Sequence, residues 1–211
     1  ELTFRHAGEM FSIGEDLKRQ ADLMVQKKLM SLSVGIAASL HKTLAYRLIK
    51  PAMDIESELN ITCSTGANDY LVDQLSRYKF DVILTDQLPS VASELQLHWY
   101  KVAESSLSIF ADRSHAQTLR DDFPASLDQH PFLATTVDPP YFSQLMQWFE
   151  SQHVRPVIRA KIDDSALIKV FGSSGLGVFA APTIIESEVC RQYQVESIGQ
   201  IEPVQETLYA I

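Results

Sequence analysis

The N-terminal part of the chain alternates between two hydrophobic periods, and this alternation limits the possible folds more than any other feature. Segments 29–36, 58–63 and 80–85 are short, with apolar side chains at or near every second residue, which predicts three strands. Segments 41–53 and 70–78 have apolar residues at helical spacing, which predicts two helices between the strands. A β-α-β-α-β order favours a parallel sheet with right-handed crossover connections.

The alternation stops in the middle of the chain and then resumes. Two strand-like segments, 97–102 and 106–111, follow each other with no predicted helix between them. The later elements are predicted as strands 132–135, 155–162 and 177–181 and helices 141–152, 164–171 and 184–192. Two more strand-like segments, 195–198 and 205–211, lie at the end of the chain and could return to the first unit.

We therefore predict an α/β fold of two Rossmann-like lobes joined by two crossover strands. Lobe I would comprise residues 29–100 together with 194–211, and lobe II would comprise residues 101–193. Two chain crossings between lobes make a hinge, and the cleft beside a hinge is a common place for a small ligand.

The two ends of the chain carry further signals. Residues 10–26 have helical spacing with a narrow apolar stripe, which predicts a helix that packs on a partner rather than into a deep core. The chain begins at Glu1 without a Met and ends on a strand-like apolar segment, from which we expect a piece of a longer protein.

The composition disfavours several classes of function. The chain is 45% hydrophobic, which argues against disorder. Its 18 Lys and Arg residues against 27 Asp and Glu residues give a net charge of −9, which argues against direct contact with nucleic acid. No apolar run approaches the ~20 residues of a membrane span, so no membrane partner is predicted.

The two cysteines, Cys63 and Cys190, have no spacing typical of a metal site. Cys63 lies in an apolar segment, which predicts a buried free thiol. This cysteine usage is compatible with a reducing compartment, and we expect a cytoplasmic protein without a cofactor.

Three short motifs resemble catalytic or phosphate-binding signatures, and each has a simpler structural explanation. Ser39 and Lys42 have S-x-x-K spacing, but S-D-N and K-T-G are absent, so Ser39 is predicted to cap a helix. The glycine-rich segment 172–177 precedes a strand and is predicted to end a helix and turn. Asp163 or Asp164 is predicted to cap the helix that follows. We do not predict an enzyme, although a hydrolase built on a Ser-His-Asp arrangement stays open.

Polar loops follow the predicted strands at their carboxyl ends, where ligands bind in open α/β sheets. The candidate effector-binding residues are Ala38, Ser39, Ser64, Thr65, Gly66, Thr85, Asp86, Thr135 and Thr136. Their hydroxyl groups and backbone amides can hold a small polar ligand through hydrogen bonds without attacking it. Asp86 is the one acid among them and the one candidate for contact with a cation.

The order of elements and segment 175–182, a Gly-x-Gly turn followed by a strand and a Pro, resemble the effector-binding domain of LysR-type transcriptional regulators. The resemblance runs along nearly the whole chain, and the segments that carry it in combination are 9–17, 75–86, 148–152, 162–172 and 195–204. It implies the two-lobed fold of type 2 periplasmic binding proteins, with residues 1–28 forming the end of a linker or dimerisation helix.

The resemblance also implies partners. It implies a homodimer or homotetramer of a transcriptional activator that contacts DNA only through an N-terminal winged helix-turn-helix outside this sequence. The branch of the family that these segments match would control sodium/proton antiporter genes in response to Na⁺ or Li⁺. Segments 37–39 and 64–65 lack the acidic residues expected in that branch, so a small anion fits the physics of the cleft as well as a cation does.

A different class of function shares the same cleft. A free-standing two-lobed protein that binds a small solute would have the same lobes but no linker helix. The codons upstream of Glu1 would distinguish the two, because one class requires a helix-turn-helix there and the other a signal peptide.

Overall fold

The computed structural model describes residues 13–17, 30–55, 59–89, 97–135 and 140–211. Its strands are β1 (Ser31–Ala37), β2 (Asn60–Gly66), β3 (Val82–Thr85), β4 (Tyr100–Asp112), β5 (Pro131–Thr135), β6 (Val157–Ile162), β7 (Phe179–Pro182) and β8 (Val195–Ala210). Its helices are α1 (Lys42–Ile55), α2 (Asn68–Ser76), α3 (Arg113–Asp121), α4 (Pro140–Ser151), α5 (Ser165–Ser173) and α6 (Glu186–Tyr193). Short 3₁₀ turns lie at Ala125–Leu127 and Thr183–Ile185.

The β-α-β-α-β prediction for the N-terminal part is confirmed. Strand β1 pairs in parallel with both β2 and β3, and helices α1 and α2 connect them. The six-stranded sheet then continues in the order β2-β1-β3-β8-β4-β7. The parallel sheet therefore becomes antiparallel where β8 lies beside β3.

The two crossings are longer than predicted. Segments 97–102 and 106–111 were expected as separate strands, but β4 is continuous over 13 residues. Segments 195–198 and 205–211 likewise belong to the single 16-residue strand β8. The prediction of separate strands is wrong because the two segments support each other by antiparallel pairing along almost their whole lengths.

The pairing between β4 and β8 has a marked irregularity. Ser106 pairs with Gln205, but the next residue of β4, Leu107, pairs with Ile201. Residues 202–204 of β8 are thus extra to the ladder, and such bulges bend a strand and increase its local twist. One side of this irregularity adjoins β3, and the other adjoins β7.

Beyond the bulge, β5 and β6 form a separate two-stranded parallel sheet. An isolated bridge joins Phe132 of β5 to Val178, just before β7, and the Val178 carbonyl accepts a hydrogen bond from the amide of Leu133 at 2.8 Å. Helix α4 packs over these strands with Leu145 and Phe149 fully buried. The chain thus forms a second α/β unit on the far side of β4.

The buried side chains form two clusters that meet along β4. Leu107, Ile109 and Ala111 belong to a cluster that includes residues of α3 and α4. Phe110 points to the opposite face and belongs to a cluster that includes residues of α1, α5 and α6 and of the N-terminal strands. The Phe110 ring stacks on that of Phe179 with their centroids 5.3 Å apart.

Two local features differ from expectation. Helix α3 lies in a segment for which no element was predicted, and the Asp112 side chain caps it by accepting a hydrogen bond from the amide of Ser114. Cys63 is exposed, so the prediction of a buried thiol is wrong. The reason is that β2 is an edge strand whose residues are mostly exposed on both faces.

The predicted N-terminal helix over 10–26 falls mostly outside the described residues. Residues 13–17 of it are described, and they are helical. None of the helices in the described ranges is long and apolar enough to cross a membrane.

Gly172 of α5 provides a test of the packing against β7. A Cβ atom at this position would lie 2.3 Å from Cδ1 of Phe179, whose ring is held by Phe110. We expect Gly172→Ala to lower the free energy of unfolding by about 1–3 kcal/mol, measured by urea denaturation. The control is Gly14→Ala, because no atom lies within 4 Å of a Cβ built there. Both substitutions replace a helical glycine by alanine, so both have the same gain in helix propensity. Equal effects of the two substitutions would contradict the packing argument.

Candidate functional site

A cleft opens to solvent between the loop after β1 and the second α/β unit. Its lining is Ser39, His41, Phe132, Leu133, Ala134, Thr135, Tyr141, Phe142, Leu145, Asp163, Ser165, Ile168, Lys169, Phe179 and Ala180. The first two lie between β1 and α1, and the rest come from β5, β7 and the helices α4 and α5 with their preceding loops. The walls are mainly apolar and carry a few polar groups, as small-molecule sites do.

Lys169 is the positive charge of this cleft, and it is 4% exposed. Its ammonium donates hydrogen bonds to Nδ1 of His41 at 3.0 Å and to the carbonyl of Ser165 at 3.1 Å. Both partners are neutral, and within the described part of the chain no carboxylate forms an ion pair with it. Burial lowers the pKa of Lys169 to about 8, which records the cost of a charge held away from water.

His41 is a buried, neutral imidazole in the lining of the same cleft. Burial and the neighbouring charge of Lys169 hold its pKa well below the ordinary value. Because an ammonium can only donate, Nδ1 of His41 accepts, and the ring proton is therefore on Nε2. Together, these two residues join the loop before α1 to α5 across the cleft.

Two buried carboxylates lie behind the cleft. Asp86 follows β3, and its Oδ1 accepts a hydrogen bond from the Ser39 hydroxyl at 2.8 Å. Glu206 of β8 is 3% exposed, and neither of its oxygens has a hydrogen-bond partner among the described residues. Burial, and then repulsion from Asp86, raise the pKa of Glu206 to about 8, while the charge of Lys169 acts in the opposite direction.

Tyr141 of α4 faces the same charges. Burial raises the pKa of its phenol, and the carboxylates of Glu206 and Asp86 raise it further. The hydroxyl group is therefore neutral at any physiological pH, and it can act as a donor toward a bound group in the cleft.

Of the predicted binding residues, Ser39 and Thr135 line the cleft from its two sides. Asp86 is connected to it through the hydrogen bond from Ser39. The structure thus brings these three residues together. Thr136 lies outside the described residues.

The other predicted residues do not line this cleft. The amide of Ala38 donates to the carbonyl of Gly66 and ties the ends of β1 and β2 together. Ser64 and Thr65 are exposed on the edge strand β2. Thr85 is fully buried, and its hydroxyl bonds to Asn68 and Gln87 of the surrounding loops. Whether these residues take part in binding stays a prediction.

The helix caps predicted from motifs are partly correct. The Asp164 carboxylate accepts hydrogen bonds from the amides of Ala166 and Leu167, so this cap is confirmed. Gly175, with φ +73°, forms the predicted turn after α5. The predicted cap at Ser39 is wrong. Helix α1 begins three residues later, and the Ser39 hydroxyl donates a hydrogen bond to Asp86 instead.

Sequence reasoning did not select His41, Tyr141, Lys169 or Glu206. Lys169 interrupts the apolar run from Ala166 to Phe171, and a charge within such a run is a usable signal. Glu206 carries a weaker signal: its chain neighbours Gln205 and Thr207 are polar, but at a two-residue period it shares a strand face with apolar side chains at 204 and 208.

A polyvalent metal site has no support in the described ranges, which contain no group of three or more His, Cys, Asp or Glu side chains placed to hold a metal ion. The arrangement offers instead one buried cation, two buried carboxylates and several hydroxyls around an apolar cleft. Such groups can bind and orient a small polar ligand.

The fold has counterparts among known proteins. Residues 28–211 match the family model of the LysR substrate binding domain. The chain belongs to this family. The predicted fold, two α/β lobes of the LysR effector-binding type, is thereby confirmed, and a free-standing solute-binding protein is not favoured.

Within the LysR family, the chain is similar to the transcriptional activator protein NhaR of Escherichia coli K12. The two are 26% identical over 211 residues, which cover all of this chain and 69% of NhaR. The fold is similar to the BenM effector binding domain with benzoate, with a TM-score of 0.63, 14% identity and coverage of 86% and 83% of the two chains. It is also similar to the bromide-bound regulatory domain of HypT from Salmonella typhimurium, with a TM-score of 0.63, 16% identity and coverage of 88% and 87%.

Proposed function

We propose that this LysR-family domain senses a small ligand in the cleft and passes the signal to a DNA-binding domain elsewhere in a cytoplasmic transcriptional activator. A ligand that contacts both walls favours one angle between the lobes, and this shift would re-space the attached DNA-binding domains of a homodimer or homotetramer. The β4–β8 bulge lies where the chain passes between the lobes, so it is the natural hinge. We place the lobes near the bounds predicted from the sequence, residues 29–100 with 194–211 and residues 101–193, and we shift the two crossings to residues 106–107 and 202–204, where the pairing is irregular.

The observation that carries this proposal is the buried ammonium of Lys169, which has no carboxylate partner among the described residues. Lysine has three donors, and hydrogen bonds to described residues use two of them. The ammonium also lies 5.7 Å from the centroid of the Tyr193 ring, a contact that leaves the third donor available to a ligand. A buried cation is stabilised by an anion that arrives without its water. The apolar walls around it favour a ligand with an anionic end and an apolar body, and the benzoate of BenM and the bromide of HypT support an anion here.

We also propose that the full-length activator responds to Na⁺ or Li⁺ and controls sodium/proton antiporter genes. The similarity to NhaR along the whole chain supports this response. The family match supports a regulatory rather than an enzymatic role.

The test of the cleft is a thermal unfolding series with choline benzoate and choline bromide against choline chloride at constant ionic strength. We expect at least one of the two anions to raise Tm in a saturable way, and Lys169→Met to abolish the rise. The matched control is Lys101→Met, since Lys101 is exposed on β4 and forms an ion pair with Glu104 at the surface. A rise that persists in Lys169→Met, or no rise with either anion, would contradict an anion site at Lys169.

A further inference from the structure

We propose that Asp86 and Glu206, at the point where the long strands pass between the lobes, form a binding site for one small monovalent cationic group. The inference deepens the proposed sensing function and rests on it, because it adds a second chemical class to the ligand of the same domain. The cationic group could be a bare alkali ion or the primary ammonium of an organic ligand.

The sheet register brings the two carboxylates to one face. Leu84 of β3 pairs with Ala210 of antiparallel β8. Because side chains alternate along strands, Asp86, two positions after Leu84, and Glu206, four positions before Ala210, fall on the same side of the sheet. Repulsion from Asp86 contributes to the raised pKa of Glu206, in agreement with this placement.

Glu206 also lies at the seam between the two hydrophobic clusters. Val204, two residues earlier, belongs to the cluster around α4, and Leu208, two residues later, belongs to the cluster around α1. The 202–204 bulge directly precedes this position. A group bound to Glu206 therefore contacts the junction whose geometry sets the angle between the lobes.

Glu206 is a polar side chain in need of a partner. Only 3% of its surface is exposed, and both of its carboxylate oxygens lack a hydrogen-bond partner among the described residues. An ionised carboxylate in such a place is costly unless a counter-charge or donors satisfy it. Two unsatisfied oxygens on one buried carboxylate thus indicate an open position for a ligand rather than a finished core contact.

Above pH 8, where Glu206 is ionised, the charges around it leave a negative excess. Glu206 and Asp86 face Lys169, whose own pKa is about 8, so the ammonium offsets at most one negative charge, and His41 and Tyr141 are neutral. One monovalent cation reduces this excess. The described residues offer a divalent ion no third carboxylate or imidazole.

The oxygen atoms at this place suit a hard monovalent cation. Carboxylate oxygens of Asp86 and Glu206 are available, and the hydroxyl of Ser39 bonds one of them. Oxygen ligands are those that alkali and other hard cations prefer, and they also accept the hydrogen bonds of an ammonium group. A proton on Glu206 is the competing occupant, so cation binding should strengthen as pH rises through 8.

The experiment measures Tm at pH 9, where Glu206 is ionised, while choline chloride is replaced stepwise by NaCl, LiCl, KCl or NH₄Cl at constant ionic strength. Choline is too large to enter a buried carboxylate site, and its quaternary ammonium has no N–H group to donate a hydrogen bond. We expect at least one small cation to raise Tm in a saturable way, by about 3–6 °C at roughly ten times its Kd. A rise with alkali ions identifies a metal site, and a rise with ammonium alone identifies a site for an ammonium-bearing ligand.

Variants test the location. Glu206→Gln and, independently, Asp86→Asn should abolish the rise, whereas Glu202→Gln on the exposed part of β8 should retain it. The inference is overturned if no small cation raises Tm above the choline baseline, or if both Glu206→Gln and Asp86→Asn respond like the unmodified chain. Neither result affects the anion response at Lys169, so failure of this inference and failure of the proposed function are separately visible.

Discussion

Phe110→Ala is expected to lower the free energy of unfolding by about 3–5 kcal/mol, the range typical of a buried phenylalanine truncated to alanine. The Phe110 side chain is fully buried near the C-terminal end of β4 and stacks on Phe179. Because β4 belongs to both α/β units, the cavity cannot be closed by a local shift of one of them. We expect a loss at the upper part of this range.

Urea denaturation followed by circular dichroism measures this loss. The control on the same strand is Tyr100→Ala, since Tyr100 is 70% exposed and its loss should change the free energy of unfolding by less than about 0.5 kcal/mol. A loss below roughly 1 kcal/mol for Phe110→Ala would show that the core around β4 is loosely packed.

The second large effect concerns pH, and it comes from Glu206. Burial raises the pKa of this carboxyl from 4.5 to about 8 in the folded chain, so the folded state keeps a proton that the unfolded state has lost. The contribution of Glu206 to the free energy of unfolding is therefore largest below about pH 4.5, and it is lost as the pH rises to 8. The slope approaches about 1.4 kcal/mol per pH unit within this window. Glu206→Gln should abolish this decline.

Lys169 produces the opposite slope at higher pH. Its pKa falls from 10.5 to about 8 on folding, so between pH 8 and 10.5 the unfolded state binds the extra proton, and stability rises with pH. The two groups together predict a minimum of stability near pH 8 in choline buffers without a small cation. Urea midpoints from pH 5 to 10 measure it, with Lys169→Met as the variant that removes the rising limb. A profile for Glu206→Gln that keeps the decline below pH 8 would contradict the assignment.

The sequence predicted elements well where local period and tertiary role agree. Strand β1 and helix α4 were placed within about two residues, because one face of each is buried and the apolar spacing shows it. Strand β8 was divided in two because Gly199 and Pro203 interrupt its period, and only the pairing with β4 makes it continuous. Helix α3 was missed because most of its surface is polar and the cap at Asp112 is its main local signal.

The candidate site was predictable only in outline. The rule that ligands bind at the carboxyl ends of strands led to Ser39, Asp86 and Thr135, which the structure connects to one cleft. The same rule selected Ser64 and Thr65, which lie on an exposed edge. Lys169 and Glu206 lie inside regular elements, where a charged residue normally faces water, and only the packing of α5 and β8 buries them.

The position of β8 between β3 and β4 also governs the order in which the chain can be completed. Until residues 195–210 have left the ribosome, β3 and β4 lack their common neighbour, and each presents an unpaired strand edge. Both α/β units therefore wait for the same late segment, and the nascent chain is exposed to aggregation for most of its synthesis. A stop codon before Val195 should consequently remove both units at once rather than release a folded N-terminal half.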